Sequence, residues 1–243
     1  MYFIPLKLHK ITSSIGQQKE TMELSIEENV RMIRNTIEKD VTLIAVSKTK
    51  PVEEIRKAYD IGIRDFGENK VQELIDKYDK LPKDIKWHLI GHLQRNKVKY
   101  IVGKVHLIQS LDSIRLLQEI DKHYSANNEI ANTLIQINIG REESKTGILL
   151  EKLDELLQQC ENCNNVKVKG LMAIIPQATE ESCRCYFRKM KDIFEDLKKK
   201  SFKNIQMDIL SMGMSGDYSM ALQEGSNMIR VGQGIFGKRN YNN

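Results

Sequence analysis

The side chains with the most chemical promise sit where apolar runs end. Thr42-Leu-Ile-Ala-Val-Ser47 leads into Lys48, followed by Thr49, Lys50 and Pro51. A near-continuous apolar run of this kind reads as a parallel strand covered on both faces. An amine leaving it into a dry interior is costly to keep charged. Desolvation favours the neutral amine, the form that condenses with an aldehyde. The alternative is a lysine that snorkels to the rim and stays solvated. Lys50 leaves the strand on a similar side, and spacing alone does not separate the two lysines. Two glycine-rich segments, Ser211-Met-Gly-Met-Ser-Gly216 and Arg230-Val-Gly-Gln-Gly-Ile-Phe-Gly237, offer different chemistry. Glycines let backbone N–H groups approach an anion, and Ser215 adds a hydroxyl donor. Taken singly, each segment reads as turn punctuation. Arg230 opens the second one, and a buried guanidinium must meet an acceptor or an anion, Asp208 being a candidate ion-pair partner.

Other chemistries find less support. His88 follows Trp87 within an apolar run and reads as a satisfied core histidine, while His92 stands as a second acid–base candidate. No Ser/His/Asp order, paired carboxylates at helical spacing or histidine-rich metal cluster stands out. Cys160 and Cys163 form a CxxC, and Cys183 and Cys185 a CxC. Both pairs fall in helical stretches without the glycine or aromatic knuckle of a zinc site, so reduced thiols are expected and no metal. The charge is +5, from 38 basic and 33 acidic side chains. The densest basic run, Arg188 to Lys200, is interleaved with Phe187, Ile193, Phe194 and Leu197 at helical spacing. It reads as the solvated face of an amphipathic helix rather than a nucleic-acid patch. No apolar stretch approaches the roughly 20 residues of a spanning helix. The amino end is broken by Pro5 and Lys7 and is not a convincing secretory signal, so a cytoplasmic protein is expected.

The elements that must position these residues alternate. The patterning predicts strands over 41–47, 62–66, 86–90, 105–109, 133–139, 166–174, 206–211 and 228–231. Between them it predicts helices near 52–61, 69–79, 94–102, 113–125, 149–162, 179–200 and 216–224, with an extra helix over 23–38 before the first strand. Residues 1–22 read as a loose extension and 23–243 as a single domain; whether Met22 is the natural start stays open. Eight strands alternating with helices point to an α/β fold of the closed (β/α)₈ TIM-barrel type, with an open doubly wound sheet as the alternative. In such barrels the site lies at the carboxyl ends of the strands, and phosphate is commonly held after strands seven and eight. Both glycine-rich segments fall there, and together they favour a phosphate cup. A phosphate cup beside an aldehyde-reactive lysine suggests pyridoxal phosphate, whose enzymes use a lysine Schiff base and a protein group facing the pyridine nitrogen.

The chain resembles the pyridoxal 5′-phosphate homeostasis protein family, an alanine-racemase-like barrel without the carboxy-terminal β domain. The matching segments are AVSKTKP at 45–51, FGEN at 66–69, VQE at 71–73, WHLIGHLQRNK at 87–97, LIQINI at 134–139, KTG at 145–147, GLMAI at 170–174, LSMGMSGD at 210–217 and GSNMIRVGQGIFGKR at 225–239. They run in order across nearly all of residues 41–239. The resemblance implies that Lys48 forms the internal aldimine, that Ser215 holds phosphate, and that Gly232 and Gln233 do so through backbone N–H groups. It further implies that Arg230 faces the pyridine nitrogen and that Asn69 lines the pocket.

An arginine there disfavours a protonated pyridinium, so the ring becomes a weaker electron sink. Related racemases resemble two-domain dimers in which a tyrosine from the partner's extra domain supplies the second proton-transfer group. This chain ends at Asn243 without room for that domain, so a monomer is expected. The resemblance thus implies a cofactor carrier or regulator without established catalysis, with cofactor-requiring apo-enzymes as candidate partners; a racemase is the alternative. Some positions depart from the family pattern. Lys70 stands where an aromatic residue is usual and Gln233 where threonine is common, and the stretch from Tyr218 lacks a nearby acid.

Overall fold

A computed structural model of the chain describes residues 24–237. The expected loose extension over 1–22 lies outside the described residues, as do Lys238 and Arg239 at the end of the last family-like segment.

Eight parallel strands close into a barrel in sequence order, which settles the choice against an open sheet. They are β1 (Thr42–Val46), β2 (Asp65–Glu68), β3 (Lys86–Leu89), β4 (Leu107–Leu111), β5 (Ala131–Ile137), β6 (Val166–Ala173), β7 (Ile205–Met214) and β8 (Met228–Val231). Closure is direct: Leu43 pairs with Ile229 and Ala45 with Val231 across β1 and β8. The helices are α1 (Ile26–Arg34), α2 (Val52–Asp60), α3 (Val71–Tyr78), α4 (Ile114–Ser125), α5 (Leu153–Glu161), α6 (Glu180–Lys198), α7 (Tyr218–Gln223) and α8 (Gln233–Phe236).

Local signals explain most boundaries. Ser25 and Glu28 form a reciprocal capping box on α1, and Ser113 and Thr179 cap α4 and α6 through their hydroxyls. Pro51 stands at the start of α2, where its missing N–H costs nothing. The extra amino-terminal helix is present but stops at Arg34 rather than Glu38, and Asn29 Nδ2 donates to Ile235 O, tying it to α8.

Three strand assignments shift, the one expected over 133–139 lying at Ala131–Ile137. The expected strand over 62–66 lies at Asp65–Glu68, because Gly62 and Ile63 finish α2 instead. Gly62 adopts φ +91°, its N–H reaches Tyr59 O, and the Ile63 N–H reaches Ala58 O. That is a left-handed helix terminus with an apolar residue after the glycine. The expected strand over 105–109 lies at Leu107–Leu111. The expected helix over 94–102 is a 3-10 helix over Arg95–Tyr100, whose three-residue period suits Val98 and Ile101, both fully buried.

The side chains divide into two cores. Ile44, Leu107, Leu134, Met172 and Met228 fill the barrel interior. A larger shell between strands and helices is anchored by Phe66, Trp87 and Phe187. No described helix is long and apolar enough to cross a membrane.

Candidate cofactor site at the barrel mouth

Alternation along each strand selects what reaches the mouth, because every second side chain faces the axis. On β1 the sequence Ile44, Val46, Lys48 runs from the interior core up into a cavity of about 850 Å³. On β8 Met228 lies in the core and Arg230 reaches the same cavity. Asn69 arrives from the end of β2, Ser215 from the end of β7, and Gly232 and Gln233 from the turn into α8. All six side chains and backbone positions expected of a cofactor site therefore line one concavity of ordinary ligand size.

Lys48 is partly buried rather than sealed in a dry interior, since it stands past the end of β1 at an open mouth. Its neighbour Lys50 is separated from it by geometry that spacing could not supply. Lys50 Nζ donates to Phe236 O at 2.7 Å and pairs with Glu54 at 3.1 Å, and it does not line the cavity. Thr49 between them takes φ +65°, an uncommon conformation for a β-branched residue. A buried cluster outside the barrel wall holds this strained turn. Lys77 Nζ donates to Ser47 O at 2.8 Å and to the carboxylates of Glu68 and Glu73, each at 2.7 Å. The Glu73 carboxylate also accepts from the Thr49 N–H, and Ser47 Oγ donates to Glu68 at 2.6 Å. Burial pushes the Glu68 carboxyl up to about 7, against the opposing pull of Lys77 and Ser47. The residues on either side of Lys48 are thus fixed from behind, and sequence reading missed Glu68, Glu73 and Lys77.

The anion end is built as a small cup. Ser215 Oγ accepts from Gly232 N at 3.2 Å and Gly234 N at 3.3 Å. One hydroxyl and two backbone donors converge, long enough to be drawn toward a stronger acceptor. Gly234 was not expected there, while Gln233 lines the cavity with its side chain exposed.

Arg230 is 3% exposed, and its partner is not Asp208. Its Nη1 donates to Ser211 Oγ at 2.6 Å and its Nη2 to Ala173 O at 2.8 Å. Asp208 is exposed in the amino-terminal half of β7, so β7 offers Ser211 to the guanidinium instead. Burial draws the Arg230 pKa down to about 10, with Asp217 pulling the other way, so the group stays cationic at neutral pH. Two of five N–H donors are engaged, which leaves capacity for a ligand acceptor. Gln136 lines the cavity too, and its Oε1 is buried with no hydrogen-bond partner among the described residues, an acceptor awaiting a donor.

His92 lines the cavity edge and pairs with Asp112 at 2.9 Å. His88 is buried below, as a core histidine should be. Cys160, Cys163 and Cys183 are buried and Cys185 is exposed. Among the described residues no group of three or more His, Cys, Asp or Glu is placed to hold a metal ion.

This arrangement fits pyridoxal phosphate: an anion cup, an amine and a cationic donor share a cavity that also presents an orphaned acceptor. Comparison with known proteins agrees. The family model for the alanine racemase amino-terminal domain matches residues 24–240. The pyridoxal phosphate homeostasis protein of Aquifex aeolicus is 45% identical over 201 residues, covering 82% of this chain and 87% of the relative. The protein of the same name from Escherichia coli is 40% identical over 208 residues, covering 83% and 87%. A structure of PipY from Synechococcus elongatus with PLP bound superposes with TM-score 0.81 at 34% identity, covering 88% of this chain and 100% of that one. An alanine racemase of Clostridium difficile shares the fold at TM-score 0.68 and 15% identity, and the match takes in 57% of its length. The chain therefore belongs to the pyridoxal phosphate homeostasis protein family, within the wider group defined by the alanine racemase amino-terminal domain.

Proposed function

We propose that this protein binds pyridoxal 5′-phosphate at the barrel mouth, holds it covalently but reversibly through Lys48, and takes part in controlling its supply in the cytoplasm. The observation that carries this reading is that Lys48, the Ser215–Gly232 cup and Arg230 line one cavity. When bound, the cofactor supplies a reactive aldehyde and an electron-accepting ring.

The residues divide the work. Ser215 with the N–H groups of Gly232 and Gly234 would grip the phosphate. The turn clamped by Lys77 and Glu73 would hold the Lys48 amine in range of the aldehyde. Arg230, already cationic and tied to Ser211 and Ala173, would donate to the pyridine nitrogen and disfavour its protonation. By disfavouring protonation there, Arg230 would weaken the electron sink, which supports storage over carbanion chemistry. Transfer of the cofactor to apo-enzymes belongs to the same proposal.

The test is a visible-absorption titration with pyridoxal phosphate, followed by borohydride reduction and peptide mapping. A label on the peptide carrying Lys48 supports the reading. Incubating the loaded protein with single amino-acid enantiomers in deuterated water separates carrier from racemase: exchange at Cα at catalytic rates would favour the racemase.

A further inference from the structure

Five strands contribute to a chain of buried polar side chains beneath the cavity floor. Arg230 Nη1 meets Ser211 Oγ at 2.6 Å, and Ser211 Oγ meets Gln109 Oε1 at 2.7 Å. Gln109 Nε2 lies 3.1 Å from His88 Nδ1, and His88 Nε2 lies 3.0 Å from Asp65 Oδ1. Arg230, Ser211, Gln109 and His88 are all essentially buried. None of Ser211, Gln109, His88 or Asp65 lines the cavity.

The direction of this chain is determined by its ends. A guanidinium can only donate, so Ser211 Oγ accepts from Arg230 and its single hydroxyl proton goes to Gln109 Oε1. The Gln109 amide nitrogen must then face His88. Its position 3.3 Å from Met228 Sδ accounts for a second N–H. His88 Nδ1 accepts, so the ring proton sits on Nε2 and is donated to the Asp65 carboxylate. Reversing the Gln109 amide would set its N–H groups against Ser211, whose hydroxyl would lose its acceptor. It would also set a carbonyl against His88 Nδ1. The observed orientation is the one in which every donor of Ser211, Gln109 and His88 finds an acceptor.

We propose that the Ser211–Gln109–His88–Asp65 chain is a positioning relay for Arg230, fixing His88 as the Nε2–H tautomer and holding the guanidinium at the place assigned to the pyridine nitrogen. The part that concerns the cofactor rests on the pyridoxal phosphate reading above; the tautomer and the donor order do not. In this relay Gln109 sets the direction, because its amide offers a fixed acceptor to Ser211 and a fixed donor to His88, whereas the imidazole can adopt either tautomer.

The test has an arm without cofactor and an arm with it. In the full chain free of pyridoxal phosphate, 15N-histidine NMR at neutral pH should show His88 with its proton on Nε2 and an unprotonated Nδ1. In Gln109→Glu, which can only accept at both ends, His88 should carry protons on both nitrogens. In Gln109→Leu and Ser211→Ala, protein loaded with pyridoxal phosphate should show a shifted visible absorption maximum and about tenfold weaker binding, with the melting of each variant recorded alongside. A wild-type His88 protonated on Nδ1 would overturn the relay, as would an unchanged His88 in Gln109→Glu. So would an absorption maximum and affinity left at wild-type values in folded Gln109→Leu and Ser211→Ala. Should a variant fail to fold, the wild-type tautomer still decides. A failure of Lys48 labelling with the expected tautomer would count against the cofactor reading and leave the relay's order standing.

Discussion

Replacing Lys77 by methionine tests the cluster that fixes the turn around Lys48. Lys77 is 6% exposed and Glu68 is 0% exposed, and the lysine donates to Ser47 O, Glu68 and Glu73. Methionine keeps the apolar stem and removes all three charge-assisted bonds. Breaking a buried pair by deleting one partner costs about 3–5 kcal/mol, chiefly because the other charge is left uncompensated. Glu68 escapes part of that cost by taking up a proton, since burial already holds its pKa near 7. The low end, about 3 kcal/mol, is therefore expected at neutral pH, or a fall in Tm of about 6–12 °C for a chain of this size. The Glu68 pKa is raised above its ordinary 4.5, so its proton contributes stability fully present below 4.5 and lost as pH rises through about 7. The defect in Lys77→Met should accordingly deepen from pH 6 to pH 8. Adding Glu68→Gln removes the buried charge and should restore about 2 kcal/mol. Glu73, nearer solvent, needs no partner. Denaturant unfolding followed by circular dichroism at several pH values measures all of this. A single variant within 1 kcal/mol of wild type, about the worth of a surface pair, would refute the reasoning. A double variant no better than the single would refute it too.

Other outcomes follow from particular contacts. Ser215→Ala removes the hydroxyl at the centre of the phosphate cup and should weaken pyridoxal phosphate binding by about tenfold in an absorption titration, with little change in melting. In Gly91→Ala the new Cβ would lie 2.5 Å from Asn69 O and 2.8 Å from Asn69 Cα. The backbone carrying Asn69 must then shift, so cofactor affinity should fall even where the barrel still folds; unchanged affinity would mean that Asn69 is not held by this approach. Burial pushes the Cys160 and Cys163 thiols up to about 12 and about 11. Brief alkylation of the native protein should therefore mark Cys185, the exposed cysteine, ahead of the other three, as read by peptide mass.

The barrel was legible because its strands are buried on both faces and its helices announce their ends with Ser113, Thr179 and Pro51. What misled was punctuation. Ile63 is apolar and follows a glycine, so it reads as the start of a strand, yet it closes the terminus of α2. Val98 and Ile101 fit either helical period. The Gly-Gln-Gly segment reads as loop but winds into α8, with the N–H groups of Gly232 and Gly234 turned toward Ser215 Oγ. At the site, the six expected residues came from strand ends and family-like segments, whereas Pro176, Gln177, Ala178 and Cys183, which also line the cavity, fall outside both. The supporting residues were not. Glu68, Glu73 and Lys77 form their cluster from β2 and α3, and Ser211 on β7 meets Gln109 and His88 from the neighbouring strands β4 and β3. Such contacts depend on closure of the sheet and leave no periodic mark in the sequence. Arg230 shows the limit most clearly: its charge called for a partner, and only the register of β7 and β8 replaces Asp208 with Ser211.

The central claim is that Lys48 is the amine that takes the cofactor. Wild type, Lys48→Ala and Lys50→Ala should each be mixed with pyridoxal 5′-phosphate, reduced with borohydride, digested and mapped by mass. The account predicts one dominant modified lysine, Lys48, in wild type and in Lys50→Ala, and loss of both the visible band and the label in Lys48→Ala. A label that settles on Lys50, or persists at wild-type level in Lys48→Ala, would contradict it.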